Sequence, residues 1–254
     1  MKPAPSSQLR LYGHRGASAV LPENTLPAFE KALADGANAL ELDIHRTVDG
    51  HFVVAHDPDG RRMAGIEEHI HAIPLDRVKR WLVTSGIAGA QNKHFTVPTL
   101  DEVLEAFPGI PMSIDLKPDD PAAVPPLLDV VARHGAEDRI TLASFSTRVV
   151  HRIRQLAYPG RTTLSKLEVG LLRFLPAALA KRWISGDAAH IPVRHGAVRL
   201  DGHRFIARCR SLGLRVEYWV VDDPQEARRL LDAGATGVMS DDPASLAPVF
   251  GERK

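Results

Sequence analysis

Short apolar runs with strand character recur along this chain with helical spacing between them, and few architectures accept that alternation. Strand-like runs are read at Leu9 to Tyr12, Ala39 to Ile44, Pro111 to Leu116, Ile140 to Phe145, Thr162 to Ser165, Ala189 to Val193, Val216 to Val221 and Gly237 to Ser240. Helical patterns fill the intervals at Leu26 to Leu33, Thr99 to Phe107, Ala122 to Arg133, Thr147 to Leu156, Leu171 to Lys181, Gly202 to Leu212 and Pro224 to Ala233, and a short Pro243 to Phe250 segment closes the series. Thr99, with Glu102 three residues on, has the spacing of a capping box. The cadence over 254 residues predicts one α/β domain, 1–254, folded as a (β/α)8 TIM barrel. A doubly wound open sheet is the alternative, because spacing does not give strand order.

One interval breaks the pattern. After an extra extended run, Phe52 to Ala55, the segment 57–98 carries a hairpin-like pattern and many His, Gly and Arg residues where a single helix is expected. It reads as a small subdomain inserted after the second barrel strand, since a loop of that length in a compact chain is usually functional or separately ordered.

Lys and Arg number 32 against 31 Asp and Glu, so no global field draws the chain to nucleic acid or to an anionic surface, and phosphate recognition must be local. A lone cysteine, Cys209, excludes an internal disulfide and any multi-cysteine metal site, and its helical setting predicts a packed, inert thiol. The first residues lack the apolar core of a signal peptide, and no run approaches the roughly 20 apolar residues of a membrane span. The expected location is cytoplasmic, and nothing in the sequence names a protein partner.

The chemistry concentrates at predicted strand ends, where parallel α/β folds place their functional groups. Glu41 and Asp43 are two apart on a strand, so both face one side while Leu42 and Ile44 face the other. Burying two like charges calls for a cation, and oxygen ligands suit Mg²⁺ or Ca²⁺ better than zinc; pairing with arginines at a solvated edge is the structural alternative. Asp115 and Lys117 repeat the spacing, Asp115 as a third metal ligand and Lys117 as a compact charge for a phosphate oxygen; an ion pair between them is the other reading. His14 and His56 follow strand-like runs and supply two groups that titrate near neutrality, as acid–base cleavage of a phosphodiester requires. Arg15 offers a two-pronged contact to phosphate or a salt bridge to Glu23, and Asn24 offers a substrate contact or a helix cap.

Taken together, Gly13-His14-Arg15-Gly16, Pro22-Glu23-Asn24-Thr25, Glu41-Leu42-Asp43 and His56-Asp57-Pro58 closely resemble the glycerophosphodiester phosphodiesterase family. The similarity runs from about Leu11 to Pro243 and is most specific in the first sixty residues. It implies a TIM barrel with an inserted subdomain. It also implies metal-dependent hydrolysis of small-molecule glycerophosphodiesters to sn-glycerol 3-phosphate and an alcohol. His14 and His56 match the family's general acid and base, and Glu41, Asp43 and Asp115 the ligands of a divalent ion. The family typically carries glutamate where this chain has Asp115, one methylene shorter. Trp219, in Val216 to Asp222, matches a tryptophan bordering the family's pocket, although a core role on a barrel strand is as consistent with its type. Two other functions stay open: lysophospholipase D-like cleavage of lipid substrates, and a barrel that binds phosphodiesters without turning them over. The apolar stretch 171–183, ending in Lys181, Arg182 and Trp183, suits a helix packed on its strand or a transient lipid contact.

Overall fold

In the computed structural model, which describes residues 8–84 and 95–253, parallel strands close on themselves. The barrel strands are β1 (Arg10–His14), β2 (Ala39–Arg46), β3 (Met112–Leu116), β4 (Ile140–Ala143), β5 (Arg161–Thr162), β6 (Ala188–Pro192), β7 (Arg215–Trp219) and β8 (Gly237–Ser240). They pair in parallel in the order β5-β4-β3-β2-β1-β8-β7-β6. A parallel bridge between Thr163 and Ala188 brings the two edges together. Closure removes the exposed edges a doubly wound sheet would leave, and the expected (β/α)8 barrel is what forms.

The outer ring consists of α1 (Leu26–Ala34), α2 (Leu100–Ala106), α3 (Val124–Arg133), α4 (Thr147–Gln155), α5 (Lys166–Phe174), α6 (His203–Ser211), α7 (Pro224–Asp232) and α8 (Pro243–Gly251). The Thr99–Glu102 capping box opens α2 as its sequence predicts. The helical reading at Leu171 to Lys181 is corrected. A second capping box, Ser165 with Glu168, starts α5 five residues earlier, α5 ends at Phe174, and a separate turn of helix, Ala177–Ala180, follows Pro176. Proline cannot donate the backbone bond that would carry one helix through.

Strand parity separates two environments. Leu11, Leu40, Leu42, Ile44, Ile114, Leu116, Leu142, Ile191, Val216 and Val238 are buried in the large core between strands and helices. The alternate positions turn into the barrel, where a small apolar cluster of Tyr12, Ala39, Met239 and Trp219 is surrounded by polar and charged groups. Cys209 is buried on α6 with its thiol pushed up to about 12 by burial, which matches a packed, unreactive group.

The extended run Phe52–Val54 pairs antiparallel with Ile44 to Arg46 of β2 and turns the chain out of the barrel. Beyond it, a hairpin of Asp59–Gly60 with Ile66–His69, a helical turn Arg61–Ala64 and the helix Leu75–Val78 gather around Val53, Ile70, Val78, Trp81, Val83, Phe95 and Val97. Within the insertion read at 57–98, residues 85–94 lie outside the described residues.

Candidate active site

Register decides which side chains meet. His14 of β1 lies opposite Glu41 of β2, which lies opposite Ser113 of β3, while Asp43 pairs with Asp115 one step further along the barrel. Because facing residues on parallel strands share a side of the sheet, Glu41, Asp43 and Asp115 all face the barrel interior, the two aspartates level with each other and Glu41 one step away. They line a cavity of about 400 Å³ together with His14, Arg15, His56, Lys117, His190, Phe145 and Trp219.

Asp43 is the most heavily compensated acid of the group. Lys117 Nζ stands 2.7 Å from its Oδ1 and the Arg15 guanidinium 3.2 Å from its Oδ2 as ion pairs, and Asn24 Nδ2 donates to Oδ2 at 3.0 Å. Burial opposes its charge, but Lys117 and Arg15 outweigh it and hold the carboxyl below its usual value. Lys117 also sits 2.8 Å from Asp115 Oδ2, the ion pair read as the alternative, and it lines the cavity. The other oxygen of Asp115, Oδ1, is buried with no hydrogen-bond partner, and burial pushes this carboxyl up.

Glu41 has weaker compensation. The Arg15 backbone N–H donates to its Oε2 at 3.2 Å, and His14 Nε2 stands 3.9 Å away. Burial first and Asp43 second push its carboxyl up to about 8. Among the described residues, no three His, Cys, Asp or Glu side chains converge closely enough to grip one ion. Glu41, Asp43 and Asp115 share a wall, and the Lys117 ammonium stands between the two aspartates.

Both histidines are aimed the same way. Asp241, just beyond β8, receives His14 Nδ1 at 2.6 Å, and Asp57 receives His56 Nδ1 at 2.7 Å. A carboxylate accepts only, so each Nδ1 carries the proton and each Nε2 is left for the cavity. For His14, burial disfavours the charged ring, but the Asp241 hydrogen bond and nearby Glu41 prevail and raise its pKa. His56 is placed by His45, whose Nε2 meets the His56 carbonyl oxygen at 3.0 Å.

The loop after β1 is held in an uncommon backbone conformation. Arg15 and Asn24 both have φ of 58°, in the left-handed region, and Asn24 N donates to Arg15 O at 2.8 Å. Gly16, at φ 88°, lies so close to α1 that a Cβ there would come within 2.7 Å of the Ala28 Cβ. Asn24 is not the α1 cap; Thr25 holds that position without a side-chain capping bond, its hydroxyl donating to Pro22 O instead, and the Asn24 amide serves Asp43. Arg15 makes its salt bridge to Glu23 at 3.1 Å as well as its contact with Asp43.

Four features escaped the sequence reading. Asp241 orients His14 from the far end of the chain. Arg62, on the insertion, bonds Asp57 through Nε at 2.6 Å and Glu23 through Nη1 and Nη2 at 2.9 and 2.7 Å, tying the His56 loop to the Arg15 loop. Deeper in the barrel, His190 bridges Ser113 Oγ at 3.2 Å and Glu217 Oε2 at 2.5 Å. At the mouth, Phe145 meets Trp219 edge-on, ring centroids 6.0 Å apart. Of these, the Ala143-Ser144-Phe145-Ser146 and Asp241-Asp242-Pro243 strand ends carried a signal in the sequence, as endings similar to those of the family.

The comparisons with known proteins converge on one family. Residues 14–245 match the profile of the glycerophosphoryl diester phosphodiesterase family. A glycerophosphodiester phosphodiesterase from Caldanaerobacter subterraneus subsp. tengcongensis is 28% identical over 245 residues, covering 92% of this chain and 94% of that protein. Among solved structures, a glycerophosphodiester phosphodiesterase from Agrobacterium tumefaciens superposes with a TM-score of 0.79 at 23% identity, over 96% of this chain and 100% of that one. An Oleispira antarctica phosphodiesterase solved in complex with its product, sn-glycerol-3-phosphate, superposes at 0.77 with 21% identity, over 95% and 96% of the two chains.

Proposed function

Because the chain belongs to the glycerophosphoryl diester phosphodiesterase family, and so to the hydrolases of phosphoric diesters, we propose that it cleaves glycerophosphodiesters to sn-glycerol 3-phosphate and an alcohol. The observation that carries this reading is the pair of carboxylate-oriented imidazoles, His14 and His56, opening onto one cavity beside Lys117 and Arg15. Lys117 and Arg15 hold the phosphate oxygens. One Nε2 takes the proton of the neighbouring glycerol hydroxyl as it attacks phosphorus, and the other protonates the departing alcohol. Water opens the resulting cyclic phosphate by the reverse proton traffic. Trp219 and Phe145 form the apolar wall against which the alcohol rests.

Glu41, Asp43 and Asp115 would hold a divalent ion, Ca²⁺ or Mg²⁺. Their fit rests on three features: an oxygen-only donor set, the unpartnered Asp115 Oδ1, and the burial of Glu41, which with the neighbouring Asp43 charge drives its carboxyl upward. When bound, the ion would neutralise the phosphate and acidify the glycerol hydroxyl. Lys117 would leave the aspartates it bridges and become available to the substrate.

The test is release of glycerol 3-phosphate from glycerophosphocholine with and without a chelator. Release that chelation abolishes and Ca²⁺ or Mg²⁺ restores is expected; binding without release in either ion would overturn the reading. In the same titration Asp115→Asn should require more metal for half-maximal activity. An unshifted curve would assign Asp115 to the Lys117 pair alone.

Arg62 gives a separate prediction. Its fork fixes Asp57, and Asp57 fixes His56, so Arg62→Ala lets the imidazole drift at the proton-transfer distance. Loss of up to about 100-fold in kcat with little change in KM is expected, and Arg62→Lys should recover only part of it, because an ammonium cannot span Glu23 and Asp57 with the same fork. Steady-state kinetics with unaltered kcat in Arg62→Ala would place the bridge outside the reaction.

A further inference from the structure

The outward face of α5 has no cover among the described residues. Glu168 and Leu172 turn inward and are buried, whereas Leu167 and Phe174, with the half-buried Leu171 between them, recur at i, i+7 and i+4 toward solvent, Phe174 at the rim of the cavity. Phe174 and Trp183 are the most exposed large apolar side chains of the described residues, at 71% and 68%, and Leu167 stands at 60%. Leu179 extends the same apolar stretch after Pro176.

Exposed charge along the stretch from α5 to β6 and beyond it is one-signed, in a chain that is nearly neutral overall. From 166 to 200 the exposed charged residues are Lys166, Arg173, Lys181, Arg182, Arg194 and Arg199, the last of them paired with Asp201. Of the two acids of that stretch, Glu168 is buried against Arg154, and the half-buried Asp187 carboxylate accepts the Thr162 N–H. Cations also stand beside aromatic rings, Lys166 at 4.9 Å from the Phe145 ring centroid and Arg173 at 5.5 Å from that of Phe174. Basic heads interleaved with exposed aromatic and aliphatic groups match an anionic bilayer interface, in which the apolar groups enter the acyl boundary and the cations stay with the headgroups. The same helix supplies Lys166, Val169, Arg173 and Phe174 to the wall of the catalytic cavity.

We propose that the face built from α5 and the stretch to Trp183 docks on anionic phospholipid surfaces and turns the cavity mouth toward them. Its consequence, that diesters borne by lipid reach His14 and His56 from the bilayer, rests on the phosphodiesterase reading; the docking does not. Binding is therefore measured by flotation of the full chain with vesicles of equal parts phosphatidylcholine and phosphatidylglycerol, against vesicles of pure phosphatidylcholine, while glycerophosphocholine turnover in free solution is followed on the same samples. The chain is expected to float with the mixed vesicles, to release as salt rises, and to lose about five-fold in partitioning for each cation removed in Lys181→Gln and Arg182→Gln. Trp183→Ser, outside the cavity, should abolish flotation and leave turnover of the soluble substrate unchanged. Three results would overturn the proposal: no flotation, equal flotation with both vesicle types, or a concentration-dependent dimer in sedimentation that Trp183→Ser disperses, which would make this face the contact between two copies. Loss of turnover in a sample that still floats would count against the phosphodiesterase reading and leave the docking standing.

Discussion

Replacing either His14 or His56 by alanine is expected to lower turnover by about 10²- to 10⁴-fold, the usual span for a general acid or base. That span corresponds to about 3–5 kcal/mol of lost transition-state stabilisation. The fold should survive both changes for local reasons. His56 is partly open to solvent, so its removal leaves no sealed cavity. His14 is more enclosed, but its partner Asp241 keeps a second donor, Ser18 Oγ at 2.8 Å. If the two imidazoles act in one proton circuit, the double variant should be little worse than the slower single one, because groups that work as a unit are strongly non-additive. Thermal melts check the fold and saturating kinetics check the chemistry. A folded variant turning over at the wild-type rate would remove that histidine from the mechanism.

The legible part of this protein was whatever depends on local periodicity. Alternating strand and helix patterns showed the eight βα units, and i, i+2 spacing put Glu41 with Asp43 and Asp115 with Lys117 on one face of each strand, because parity along a strand is fixed by covalent geometry. The pairing of His14 with Asp241 joins positions 227 residues apart and exists only because β1 and β8 become neighbours on closure. The Lys117 bridge from Asp115 to Asp43 likewise depends on the register between β2 and β3, which spacing does not encode. Arg62 looked like one of many arginines in an irregular segment, and its role follows from how the insertion folds back over the His56 loop. Glu217 stood in an apolar run as an isolated acid, and its partners are Arg215 on its own strand, His190 on β6 and Tyr12 on β1.

That acid carries the largest stability prediction. Glu217 is fully buried inside the barrel, where Arg215 Nε lies at 2.6 Å, His190 Nε2 at 2.5 Å and the Tyr12 hydroxyl donates at 3.0 Å. Burial alone would raise its carboxyl; His190 and Arg215 together reverse that and hold it at about 2, below its ordinary 4.5. Glu217→Gln removes the charge that these groups converge on and should cost about 3–5 kcal/mol in denaturant unfolding. The acid dependence follows from the sign of the shift: a depressed folded value stabilises fully above the ordinary carboxyl range, and that contribution fades as pH falls from about 4.5 towards 2. The gap between wild type and Glu217→Gln should therefore be widest near neutrality and narrow through that window, since glutamine does not titrate. Equal gaps at neutral and acidic pH would mean that the loss comes from packing, and a gap below about 1 kcal/mol would mean that the interior of this barrel tolerates the uncompensated cations.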